Sequence, residues 1–169
     1  MSSVVPPKPR LLGHKRTKLA IVASNYNETY TDALVNATIE ELGAYLPQAR
    51  VDLIRVPGAF EIPVTVQALV SLEAPSVVIA LGVIIQGETP HAELVARSVT
   101  DGLQQIAIDS KIPIINEVLL LENEEQAKQR CLGTEMNRGM DAARAAAAMV
   151  EVFDEIDRSG NLRMHPSNV

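Results

Sequence analysis

The sequence predicts an α/β fold, a three-layer αβα sandwich on a four-stranded, mainly parallel sheet. Three observations predict it. Short aliphatic runs rich in β-branched residues, such as KLAIVAS (18–24) and SVVIALGVII (76–85), are apolar on both faces, as strands buried between two helical layers must be. Between them lie longer stretches whose apolar residues recur every three or four positions, the spacing of one helix face. The chain has 169 residues, the size of one domain, enough to bury about two-thirds of its unfolded surface.

The elements follow in order. Pro6, Pro7 and Pro9 forbid regular structure at the head, because proline fixes φ and lacks a donor. Residues 1–16 are therefore expected to form an arm, 17–158 the folded domain, and 159–169, with Gly160 and Pro166, a loose tail. The first strand, 18–24, ends at the turn formers Ser24-Asn25, and Thr29 to Leu46 reads as a helix. VDLIRV (51–56) is the second strand, GAFEIP (58–63) a loop, and VTVQALVSL (64–72) a helix. Strand three, 76–85, is followed by a polar loop and a helix whose apolar face carries Val95, Val99, Leu103 and Ile106. IPIINEVLL (112–120) is strand four; Glu122 to Cys131 and Met136 to Asp157 are two further helical stretches. This order is that of a flavodoxin-like sandwich. The alanine-rich AARAAAAMVEVF of the last helix permits close backbone approach, either to its own sheet or to a neighbouring subunit.

Composition excludes several function classes. With 15 basic and 21 acidic residues the net charge is -6, which offers no footprint for nucleic acid. Cys131 is the single cysteine, so no internal disulfide forms and a reducing compartment, the cytoplasm, is expected. No apolar run approaches the roughly 18 residues that span a bilayer. Walker loops, GxGxxG, metal-spaced His/Cys clusters and a Ser/His/Asp order are all missing from the sequence.

Ligands of open parallel sheets bind outside the carboxyl ends of the strands. Four segments are expected there: 24–27, 58–61, 86–91, and the region after strand four, beginning near Asn116. In QGETPH (86–91), Gly87 lets backbone approach a ligand, Thr89 can cap the following helix, and Pro90 needs no donor in its first turn. Free amides there favour an anion, phosphate above all, and His91 titrates near neutrality and can move protons. The same residues also suit an ordinary threonine-proline helix start with a solvated histidine. Glu61 reads either as a solvated helix-start carboxylate or as a ligand group. Tyr26 can stack on a planar ring or cover the sheet edge, and Arg130 and Arg138 can clamp phosphate or complement a helix dipole.

Taken together, SNYNE, VPGAFEIP, ALGVIIQGETPH, LLLENEEQAKQR and NRGMDAA resemble the motif blocks of the lumazine synthase family, over about Lys18 to Val152. The resemblance implies condensation of 5-amino-6-(ribitylamino)uracil with 3,4-dihydroxy-2-butanone 4-phosphate to 6,7-dimethyl-8-ribityllumazine, releasing phosphate and water, the penultimate step of riboflavin biosynthesis. It implies no metal and no organic cofactor. His91 matches the catalytic histidine, and Arg130 the arginine that grips phosphate, with the backbone of Gly87, Glu88 and Thr89. Tyr26, Asn27, Ala59, Phe60, Glu61, Val83, Ile84, Ile85 and Asn116 match positions around the pyrimidine and ribityl chain; Asp141 and Arg138 match supporting positions. Asn116 stands where many members carry a phenylalanine that covers the ring from the adjacent subunit, and Gln86 where many carry arginine at the loop entrance. The resemblance further implies the flavodoxin-like fold, sites shared between subunits of a homopentamer with the last helix near its axis, and riboflavin synthase as a partner. A single pentamer and a capsid of twelve both remain open, as do two rival readings, a non-catalytic lumazine- or flavin-binding module and an assembly protein with a vestigial pocket.

Overall fold

The structure, a computed structural model, describes residues 17–159 apart from residue 135. The expected arm, and the tail apart from its first residue, lie outside the described residues. Four parallel strands, β1 (Lys18–Ser24), β2 (Arg50–Val56), β3 (Val77–Ile85) and β4 (Ile114–Leu121), form one sheet in the order β2-β1-β3-β4. The connecting helices are α1 (Glu28–Tyr45), α2 (Ile62–Leu72) and α3 (His91–Ser110); α4 (Glu124–Ala127) and α5 (Arg138–Ser159) follow β4. The expected αβα sandwich is thus formed.

Side-chain alternation in the central strands splits the core in two. Leu19 and Ile21 of β1 and Val77, Ile79 and Leu81 of β3 pack against Leu34, Val35 and Leu42 of α1 and against α5. On the opposite face Ala20, Val22, Val78 and Ala80 meet Ile62, Val66 and Val70 of α2 and Val99, Leu103 and Ile106 of α3. Each fully buried leucine, isoleucine or valine contributes about 1.5–3 kcal/mol relative to exposure. Only β1 and β3 are sealed on both faces; β2 and β4 are the sheet edges and carry half-buried and exposed positions.

The structure takes one of the two readings of the last helix and changes that of the stretch before it. The alanine face of α5 is used within the chain: Ala142, Ala143, Ala146 and Ala147 are fully buried in the cluster that holds α1 and the sheet. Between these helices Arg144 donates to Glu41 at 2.7 Å, a pair with both side chains largely buried. The helical stretch 122–131 is one α turn, α4, capped by the Asn123 carboxamide oxygen accepting from Gln126 N–H at 3.0 Å, followed by a five-residue π turn, Lys128–Leu132. Asparagine caps a helix well because its side chain replaces the missing acceptor, so Glu122 falls outside the helix. The wider π turn leaves Arg130 half-buried and turns Cys131 into the core.

Candidate active site

The cleft arises because β1 and β3 have unequal lengths. Pairing of β1 with β3 ends at Ala23 opposite Leu81, whereas pairing of β3 with β4 continues to Ile85 opposite Leu121. Val83, Ile84 and Ile85 therefore run on with one edge that has no strand partner. The chain order also reverses here, since α1 carries β1 to β2 on one face and α3 carries β3 to β4 on the other. Asn27 holds the first loop against this edge. It adopts the left-handed conformation, φ 56°, which asparagine tolerates, and donates Nδ2–H to the Val83 carbonyl at 2.8 Å.

A cleft of about 480 Å³ opens on this edge, lined by Tyr26 and Asn27, by Ala59, Phe60 and Glu61, by Val83, Ile84 and Ile85, and by Gly87, Thr89 and His91. Tyr26 is 72% and Phe60 60% exposed, so both rings are presented to the cleft and neither is packed into the core. Ala59 to Glu61 form a short 3-10 turn, with Ala59 buried and Glu61 half-buried beside Gly58. The Glu61 carboxylate makes no hydrogen bond or ion pair among the described residues.

Pro90, and not Thr89, occupies the capping position of α3, and no side chain caps that helix. Proline at this place supplies its carbonyl to Leu94 N–H at 3.1 Å but no side-chain acceptor, so the first-turn amides stay free for an external anion. His91 is exposed on the first turn. A Cβ on Gly87 would meet nothing within 4 Å, so the bare backbone there answers to no packing need within the chain. Glu88 is exposed and lies outside the cleft lining, and Gln86 donates to Glu93 at 3.0 Å, tying the loop entrance to α3.

Asn116, Arg130 and Arg138 line a different cleft, of about 440 Å³, that shares no residue with the first. Helix α3 borders both, with His91, Ala92 and Val95 on the first and Ala96, Arg97 and Thr100 on the second. Asn116 lies inside β4 opposite Ala80, as the strand reading 112–120 has it, and does not begin the region after the strand; β4 continues to Leu121. Its amide donates to Thr100 Oγ1 at 3.2 Å and its oxygen accepts from Val118 N–H at 3.0 Å.

Sequence reasoning missed Glu117, although a lone acid inside the apolar run IINEVLLL is the signal that could have found it. Its buried carboxylate accepts two hydrogen bonds from Arg138, at 2.8 and 3.1 Å, and Asp141 accepts a third at 3.1 Å. Burial pushes the Glu117 carboxyl up to about 7 despite the adjacent Arg138 charge that opposes it. Burial likewise pushes the Cys131 thiol up to about 12, which leaves it an inert core group. Arg138 is thus held by two carboxylates, whereas Arg130 makes no hydrogen bond or ion pair among the described residues.

A parallel sheet with an unpaired strand edge, exposed rings beside it and an uncapped helix start defines an α/β protein with a candidate small-molecule site at its strand ends. Among the described residues no helix is long and apolar enough to cross a membrane. The chain belongs to the 6,7-dimethyl-8-ribityllumazine synthase family, whose model matches residues 16–154. It is 39% identical over 146 residues to a protein named 6,7-dimethyl-8-ribityllumazine synthase from Paracidovorax citrulli, covering 86% of this chain and 92% of that protein. Proteins of the same name from Coxiella burnetii and Leuconostoc mesenteroides are 38% and 31% identical, over 83% and 88% of this chain and 93% and 96% of theirs.

Proposed function

We propose that the first cleft binds 5-amino-6-(ribitylamino)uracil and that His91 moves the protons of its condensation with 3,4-dihydroxy-2-butanone 4-phosphate. The chain is a transferase of riboflavin biosynthesis that forms 6,7-dimethyl-8-ribityllumazine. The observation that carries the assignment of roles is the juxtaposition, in one cleft, of the unpaired Val83–Ile85 edge, the ring of Tyr26 and the uncapped start of α3 with His91. Strand amides and carbonyls suit the donor and acceptor pattern of a pyrimidine edge. Tyr26 and Phe60 suit its face, and Asn27, Ala59 and Glu61 flank the space for the ribityl hydroxyls.

The 5-amino nitrogen attacks the ketone carbonyl, a C–N bond forms, and the carbonyl oxygen leaves as water. His91 takes the proton the amine sheds and returns one to the departing oxygen. Phosphate then leaves from C4 as the C3 proton is removed, and the resulting enol tautomerises to a C3 ketone with a terminal methyl group. The ribityl-bearing nitrogen attacks that ketone, a second C–N bond forms and the ketone oxygen leaves as a second water, which closes the second ring. Arg130 is the group suited to the phosphate, because among the described residues it makes no hydrogen bond or ion pair, while Arg138 is held by Glu117 and Asp141.

Since Arg130 and Asn116 line a second cleft, a complete site requires the His91 cleft of one subunit to face the Arg130 cleft of a neighbour. This supports sites shared between subunits, as in the homopentamer that the family resemblance implies, and exposed Val64, Leu72, Leu94 and Ile108 on α2 and α3 provide apolar surface for such a contact. The free cysteine and the substrates fit the cytoplasm, and riboflavin synthase would consume the product.

The test is the rate of lumazine chromophore formation against the enzyme-free reaction. We expect acceleration that His91→Ala lowers by about 100-fold or more. Protein that binds a substrate analogue but leaves the spontaneous rate unchanged would instead be a binding module, and an unaltered rate in the variant would remove His91 from the mechanism.

A further inference from the structure

Arg130 and Arg138 reach the second cleft from different segments, the π turn and the first turn of α5. One buried side chain joins those segments. Asn137, 8% exposed, donates Nδ2–H to the Cys131 carbonyl at 2.7 Å and accepts from Gly139 N–H through Oδ1 at 2.8 Å. Cys131 is the residue after Arg130, and Gly139 the residue after Arg138. The carboxamide therefore grips the backbone immediately beside each arginine.

The α5 end of this bracket is itself fixed. The Thr38 hydroxyl on α1 lies 3.0 Å from the Gly139 carbonyl, and a Cβ at residue 139 would collide with the Leu34 carbonyl. Capping α5 alone does not account for the asparagine. A cap needs only an acceptor, which serine, threonine or aspartate would supply equally well. The bond to Cys131 needs a donor as well; a hydroxyl carries donor and acceptor on one atom, whereas a carboxamide sets them on two atoms that face the two backbone partners at once.

We propose that Asn137 is a positioning residue for phosphate binding, setting the separation and aim of Arg130 relative to Arg138 through its bridge from Cys131 to Gly139. The proposal rests on the assignment of the phosphate to Arg130 made above. It distinguishes the two guanidinium groups by role: Arg138, locked by Glu117 and Asp141, belongs to the frame, and Arg130 is the group the frame aims.

The test uses the full chain with Asn137→Ser, which keeps a capping oxygen but is too short to reach Cys131, alongside Arg130→Ala. Both are assayed for the KM of each substrate, for kcat and for inhibition by inorganic phosphate. Asn137→Ser is expected to raise the KM of the phosphorylated ketone and the inhibition constant of phosphate by about 10-fold or more while the KM of the ribitylaminouracil stays within about twofold, because a small misplacement of a positioning contact is costly only to the group it positions. A serine variant that is merely less stable, with phosphate inhibition unchanged, overturns the proposal. If Arg130→Ala weakens phosphate and Asn137→Ser does not, the positioning role fails alone; if Arg130→Ala leaves phosphate unaffected, the phosphate assignment fails and the proposal with it. Asn137→Thr, which also keeps the capping oxygen and lacks the amide donor, gives the same reading should the serine variant not fold.

Discussion

Glu117→Gln is expected to change how stability depends on pH by an amount the structure sets. The Glu117 carboxyl, raised from the ordinary 4.5 to about 7 chiefly by burial, holds its proton in the folded state at pH values where the unfolded chain has lost it. Between pH 4.5 and 7 the folded state therefore binds more protons, and linkage makes stability fall as pH rises through that window. The contribution is fully present below the unfolded value and lost by the time pH passes the folded one. A rise from 4.5 to about 7 corresponds to about 3–4 kcal/mol, at ~1.4 kcal/mol per pH unit. Glutamine keeps the shape and cannot titrate, so the stability difference between wild type and variant should change by that amount across the window. Any pH-independent loss from the weaker hold on Arg138 drops out of the slope. The assay is urea denaturation of both proteins at fixed protein concentration, since association contributes to apparent stability, at half-unit steps from pH 4.5 to 8. Parallel curves would refute the reasoning and mean that the paired hydrogen bonds from Arg138 keep Glu117 ionised in spite of its burial.

Two further outcomes follow from packing. Gly139→Ala places a methyl against the Leu34 carbonyl, a backbone atom that cannot rotate away, so α1 and α5 must part at a cost of about 1–3 kcal/mol, read as a lowered urea midpoint with unchanged slope. Ala146→Leu overpacks a fully buried contact beside α1 and the sheet and should cost a similar 1–3 kcal/mol, roughly; a neutral melting temperature would place that face at a surface instead.

Much of this protein is legible in one dimension. Strand runs apolar on both faces demand two covering layers, and the α3 stripe Val99, Leu103 and Ile106 is buried as its spacing requires. The His91 cleft was legible too, because its residues fall at the ends of β1, β2 and β3, which a parallel sheet brings to one edge whatever the details of packing. Helix limits were less so: a capping asparagine and a π turn, not periodicity, decide where the segment after β4 is helical.

Only tertiary structure decided that Arg130 lines a different cleft from His91, together with Asn116, since the order of residues along a chain carries no record of which flank of α3 each segment will meet. It also decided that the α5 alanines are spent on the chain's own α1 and sheet, because a small-residue face specifies close approach but not the partner. The polar bracket behind the arginines belongs to the same class: Glu117, Asn137 and Gly139 have their roles through hydrogen bonds and contacts that exist only once β4, α1, the π turn and α5 converge. The sequence by itself determined the layers, the strand-end edge and the chemical groups at it; the folded chain alone determined which of those groups share a cavity, because that depends on distances between elements remote in sequence.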